Sequence, residues 1–226
     1  MSYQKNNADK KPTIFLCLEG GEAVGKSNQI RLLEKLFKQN NISCLKTREP
    51  GGIKSSEDIR NVIFSNEIES IAELLLFSAS RHENIKKVII PSFNKYDVIL
   101  VDRFVLSTII YQGILGKIDV NKIIDLHSNF NFNLYPDLTI ILDDNIDRVM
   151  QRLNNRNKDA QNRIDQNSKD FHEEIMQSFR NPSEFYKGKF EVINGSDKSL
   201  LEVHSNIVDF INSYFNKNLK PLDKIN

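Results

Sequence analysis

The chain has 226 residues, with 31 lysines and arginines against 30 acidic residues, so no global field draws it to nucleic acid or a membrane and any cationic chemistry must be local. That length suits one domain with a core large enough to need no covalent staples. Cys17 and Cys44 are the only cysteines, each in an apolar, strand-like run, which reads as two reduced core thiols of a cytoplasmic protein rather than a disulfide.

Residues 1–11 are a polar tail without the apolar stretch of a signal peptide, and no later run reaches membrane-spanning length. Thr13 to Leu18 is an apolar strand candidate. It runs into Gly20-Gly21-Glu22-Ala23-Val24-Gly25-Lys26-Ser27, a G-x-x-x-x-G-K-[ST] phosphate loop. A strand that feeds a glycine-permitted turn into a helix aims backbone N–H groups and the positive helix end at one point, where a polyphosphate sits. Lys26 then reaches the β- and γ-phosphates, and the Ser27 hydroxyl ligates Mg²⁺.

Ile30, Leu33, Leu36 and Phe37 follow at helical spacing, and Ile42 to Thr47 is the next strand candidate. Glu67 to Val88 is helix-like, with Ile71, Leu74, Leu75 and Ala79 on one face. Asp97 to Val101 is a buried strand, and a helix begins near Val105. Leu138 to Leu142 and Phe190 to Ile193 complete the strands. Near-continuous apolar strands alternating with helices predict an α/β fold: a three-layer sandwich of the phosphate-loop NTPase type, about five parallel strands with helices on both faces. The ligand belongs at the carboxyl ends of the strands. Residues 12–216 form the single domain. Residues 217–226 read as a second polar tail, frayed like the first.

Asn154 to Asn162 has no apolar residue beyond Ala160, so it reads as an exposed loop between helices, or as a lid spanning about 152–165 whose Arg152, Arg156 and Arg163 swing onto a triphosphate. Asn94-Lys95-Tyr96-Asp97 matches the guanine-recognition pattern of GTPases. It precedes a strand instead of following one, which sets that reading aside.

Four further segments narrow the class: Thr47-Arg48-Glu49-Pro50-Gly51-Gly52; Phe77 to Arg81; Asp102-Arg103-Phe104-Val105-Leu106-Ser107 with Tyr111-Gln112-Gly113; and Arg163-Ile164-Asp165. In this order, with the phosphate loop and its internal Glu22, they resemble the thymidylate kinase family, bacterial type, from about residue 13 to residue 215. The resemblance implies transfer of the γ-phosphoryl of ATP to dTMP with Mg²⁺, a nucleoside monophosphate kinase domain and a homodimer, with no nucleic-acid partner.

It also implies roles. Phe77 and Arg81 are four apart and share a helical face, so the ring stacks on a pyrimidine while the guanidinium donates to a base carbonyl; core packing is the alternative for Phe77. Arg103 holds the acceptor's phosphate, where bidentate bonds favour arginine, with a structural ion pair as its alternative. Arg48 and Arg60 flank that phosphate region, Arg60 with solvation as its alternative. Thr108, Tyr111 and Gln112 line the acceptor cavity, where the bulk of Tyr111 bars a ribose 2′-hydroxyl. Glu22 points at the acceptor sugar, and Asp102 sits near Mg²⁺ through water. The phosphate loop contains no arginine, so the lid supplies the catalytic cation, Arg156, while Arg152 lies along ATP.

Ala23 and Val24 depart from the family's usual Gly-Ala, Asn28 from threonine, Ile110 from a smaller residue, and Asp165 from glutamate. His82, His127, His172 and His204 lack ligand spacing and read as surface or packing residues. A kinase for another monophosphate or a deoxynucleoside is the alternative within the class. A nucleotide-binding interaction protein without turnover is the alternative outside it.

Overall fold

The computed structural model describes residues 12–156 and 163–224. The strands are β1 (Ile14–Gly20), β2 (Cys44–Arg48), β3 (Val98–Asp102), β4 (Leu138–Asp143) and β5 (Phe190–Asn194). The helices are α1 (Lys26–Gln39), α2 (Lys54–Ser65), α3 (Ser70–Asn84), α4 (Ile90–Ser92), α5 (Val105–Thr108), α6 (Val120–Phe130), α7 (Ile146–Asn154), α8 (Lys169–Arg180) and α9 (Leu200–Phe215). The strands pair in parallel in the order β2-β3-β1-β4-β5, as the alternation predicts.

Both faces of the sheet are buried, which is why its strands read as continuous apolar runs. In β1, Phe15 and Cys17 enter one layer with side chains of α3, α5, α6 and α8, while Leu16 and Leu18 enter the other with α1, α7 and α9. Ile30, Leu33, Leu36 and Phe37 are the buried stripe of α1, as their spacing predicts. The connections leaving β1 and β4 run to opposite edges of the sheet, which opens a crevice at their carboxyl ends. Among the described residues no helix is long and apolar enough to cross a membrane.

Two segments differ from the sequence reading. The long helix starts later, at Ser70, where the Glu69 carboxylate caps it by accepting from Ile71 N and Ala72 N. Its expected apolar face is not the buried one: Leu74 is buried, but Ile71 and Leu75 are 58% and 53% exposed, and the inward side carries Ser78, Arg81 and Asn84. The segment after Asn216, read as a polar tail, is anchored at one leucine. Leu219 packs against the core, and its backbone N–H and C=O both bond the Asn212 side chain, at 2.8 and 2.9 Å.

Two helices continue as π-helix, α3 through Ile85–Ile89 and α5 through Ile109–Leu115. These i→i+5 turns recur at functional sites in proteins.

Candidate active site

The phosphate loop joins β1 to α1. Gly20 has φ 132°, and a Cβ there would lie 2.3 Å from the Leu142 carbonyl, so the residue must be glycine. Ala23 carries its Cβ at φ 54°, in the left-handed region where the family pattern often has glycine. Lys26 Nζ donates to Gly20 O at 3.0 Å and to Gly21 O. Burial, then the neighbouring Arg103 charge, push the Lys26 amine down to about 8.

A cavity of about 570 Å³, in the range of small-molecule sites, opens over this loop. Glu22 to Ser27 form one wall; Arg48, Arg60, Arg103, Arg152 and Arg156 surround it, with Asp102 at its base. A chain with almost no net charge thus sets several arginines around one cavity, a local field suited to a polyanion. The orientation of each comes from a partner. Arg152 donates to Ala23 O (2.9 Å) and Asp144 (2.7 Å), and Arg156 to Asp165 (2.8 Å). Arg48 pairs with Glu57 (2.8 Å) and faces this larger cavity.

A smaller cavity of about 90 Å³ adjoins the first and shares Glu22, Glu49, Arg60 and Arg103 with it. Phe77, Arg81, Thr108, Tyr111 and Gln112 all line it, together with Ile164. Arg81 is buried and donates to Glu49 Oε2 and Thr108 Oγ1, both at 2.7 Å. Two of its five guanidinium N–H groups are used there. Burial pushes the Glu49 carboxyl up, against the Arg81 charge and hydrogen bonds from Arg81 and Asn84. Gln112 donates to Glu73 (2.9 Å), which also pairs with Arg163.

Arg103 stands where the cavities meet. Its guanidinium donates to Glu22 Oε1 at 2.6 Å and Gly20 O at 2.9 Å, and its backbone is left-handed, φ 65°. Burial alone would lower its pKa; Glu22, Tyr111 and Glu19 hold it above its ordinary value. Burial likewise pushes Glu22 up, but Arg103, Lys26 and Arg156 together hold that carboxyl down at about 2. Tyr111 donates to Glu22 at 3.2 Å, and its ring lies under the Arg103 guanidinium, 5.4 Å away.

Sequence reasoning left two residues of this site without a firm place. Arg60 faces both cavities, held by Pro50 O (3.0 Å) and the Phe64 ring (4.7 Å). Glu49 anchors Arg81; a carboxylate inside a conspicuous motif was the available signal. Of the proposed lid, residues 157–162 lie outside the described residues. The histidines pack as expected: His127, His172 and His204 are buried, and His82 stacks on Phe132. Among the described residues no group of histidine, cysteine and acidic side chains has the arrangement of a metal cage.

Comparison with known proteins gives a consistent answer. The sequence model of the family described as Thymidylate kinase matches residues 18–207. A thymidylate kinase of Wolbachia pipientis subsp. Culex pipiens is 36% identical over 92% of this chain and 100% of its own length. One from Rickettsia africae is 33% identical over 84% of this chain and 93% of its own. The crystal structure of thymidylate kinase from Ehrlichia chaffeensis superposes with a TM-score of 0.70 at 28% identity, covering 88% of this chain and 98% of that one. With the phosphate loop, the adjoining cavity and the shared Arg103 in place, the chain belongs to the thymidylate kinase family.

Proposed function

We propose that the chain transfers the γ-phosphoryl of ATP to dTMP, giving dTDP and ADP. The observation that carries this reading is the contact of two cavities through Arg103 and Glu22, one built on a phosphate loop and the other on an aromatic ring and a buried arginine. A protein that only bound ATP would have no use for the second. In this reading the backbone of Gly20 to Gly25 and the Lys26 amine hold the β- and γ-phosphates, and Arg152 lies along the donor. Phe77 stacks on the thymine, Arg81 with Thr108 and Gln112 fixes its polar edge, and Arg103, Arg48 and Arg60 hold the acceptor phosphate. Tyr111 fills the space a ribose 2′-hydroxyl would need, beside Glu22 at the sugar.

Phosphoryl transfer through a loose transition state asks for little proton chemistry, so alignment and charge neutralisation do most of the work. Arg156 supplies positive charge to the phosphoryl in flight. Asp102 and Ser27 fit a hydrated Mg²⁺: Asp102 Oδ1 is buried without a hydrogen-bond partner, and both residues face the cavity. When bound, that ion neutralises the donor's phosphate oxygens.

Val62, Ile71 and Leu75 are exposed on α2 and α3, which pack together; this apolar face supports a homodimer, and sedimentation at micromolar concentration would read it. The free thiols Cys17 and Cys44 support a cytoplasmic setting.

The test is ADP release from ATP across a panel of acceptors. The expected order puts dTMP first, with its ribo counterpart, dCMP, UMP and thymidine well behind. A different preferred acceptor would make this another nucleoside kinase. ATP binding without acceptor-dependent turnover would make it a nucleotide-binding interaction protein.

A further inference from the structure

Among the described residues two buried carboxylates, Glu19 and Asp165, are absent from both cavity walls. Glu19, near the end of β1, has no exposed surface. A carboxylate taken out of water is costly unless its oxygens are engaged. Here Oε1 accepts from Phe104 N (2.7 Å) and Ser107 N (3.2 Å), and Oε2 accepts from Ser107 Oγ (2.6 Å). These N–H groups open α5, whose own cap position, Phe104, offers no side-chain acceptor. Glu19 therefore caps α5 from a different element.

The same bonds surround Arg103. Its backbone N–H donates to Leu18 O at 3.0 Å, and the next N–H, that of Phe104, donates to Glu19. Both peptide groups flanking the Arg103 Cα are thus tied to consecutive residues of β1. A non-glycine residue in the left-handed region is strained and persists only when its surroundings over-determine it. The side chain is tied as well. Arg103 donates to Ser107 Oγ at 3.0 Å, so the serine hydrogen is directed to Glu19.

We propose that Glu19 is the positioning residue for Arg103: Oε1 fixes the left-handed backbone, and Oε2 orients the Ser107 hydroxyl that receives the guanidinium. Glu19 touches no substrate and acts only through these bonds. The inference rests on the reading that Arg103 holds the acceptor phosphate, so it predicts a defect confined to the phosphate end of the acceptor.

The experiment compares binding of dTMP and of thymidine, which lacks the phosphate, to the full chain and to Glu19→Gln, Ser107→Ala, the double variant and Arg103→Ala. Glu19→Gln keeps one accepting oxygen for the backbone but presents an amide N–H₂ to Ser107. Ser107→Ala cuts the path to the guanidinium and spares the backbone bonds. Each should weaken dTMP about tenfold, the scale of a charge-assisted hydrogen bond, and leave thymidine unchanged. Because they lie on one path, the double variant should be no worse than the weaker single one.

Equal loss of dTMP and thymidine would signal a general disturbance and overturn the proposal. If Arg103→Ala collapses the preference for dTMP over thymidine while the other variants keep it, the Glu19 link alone falls. If Arg103→Ala also keeps it, the reading of Arg103 falls and takes the link with it. Should Glu19→Gln fail to fold, Ser107→Ala decides.

Discussion

One wall of the larger cavity is an unbroken run, Glu22 to Ser27, and in the proposed reading much of what it offers to phosphate is backbone. The smaller cavity draws Phe77 and Arg81 from α3, and Thr108, Tyr111 and Gln112 from the helix after β3, and offers side chains. A contiguous loop is shaped by its own glycines and the strand before it, so a side chain can be removed while the cradle stays. The distributed wall depends on a buried pair, Arg81 and Glu49, whose members hold each other as well as the site. Loss of function and loss of stability should therefore separate on the donor side and travel together on the acceptor side.

The largest expected effect lies between the two sides. Arg156→Ala should lower kcat by roughly 10² to 10⁴, a range taken down from mobile arginine fingers because Lys26 remains, with KM for dTMP little changed. If KM rises and kcat is spared, Arg156 is a binding contact, and catalysis rests on Arg152 or Arg163. On the donor side, Lys26→Ala should lower kcat by ~10² to 10³ with an unchanged melting temperature. Near-normal turnover in the folded variant would remove this loop from the chemistry.

Arg81→Ala should behave differently. It leaves the Glu49 carboxylate buried without its cation, a loss of about 3–5 kcal/mol, or roughly 10 °C in Tm for a chain of this size, together with weaker dTMP binding. A variant that lost dTMP binding at full thermal stability would erase the contrast between the two sides.

The smallest effect is one of pH, and it comes from behind the smaller cavity, where the His127 ring meets the lining residue Phe104 edge-on at 5.9 Å. Burial first, then the Arg81 charge, push His127 from 6.5 down to about 3, against its bond to Leu134 O. The unfolded chain binds that proton more readily, so stability present above about pH 6.5 is lost as pH falls toward 3. Between pH 7 and 5.5 the loss is about 1 kcal/mol. Glu22, held at about 2, adds its own loss only below its ordinary value of 4.5. Thermal denaturation against pH should show this slope, and His127→Gln should flatten it.

The same contrast governs what was legible in the sequence. Strands buried on both faces announce themselves as apolar runs, and a phosphate loop is contiguous, so fold and donor side could be read residue by residue. Hydrophobic periodicity assumes that the inward face of a helix is apolar, and α3 breaks that assumption. Its inward Ser78 and Arg81 are paired by Asn131 and Glu49 from distant parts of the chain, while Ile71 and Leu75 point outward. Partners that distant leave no local pattern. The seat of Leu219 was missed likewise, because one leucine among polar residues carries no period.

The π-helical continuation of α5 makes chain length part of the acceptor site. Within Ile109–Leu115 each turn takes in one residue more than an α-helix would. Thr108 sits before this widening, and Tyr111 and Gln112 sit within it, yet all three face one cavity. Deleting a single residue here would let the helix relax to the commoner geometry and still pack, but would turn Tyr111 off the site. The number of residues in this stretch, and not only their identity, thus sets which side chains reach the cavity.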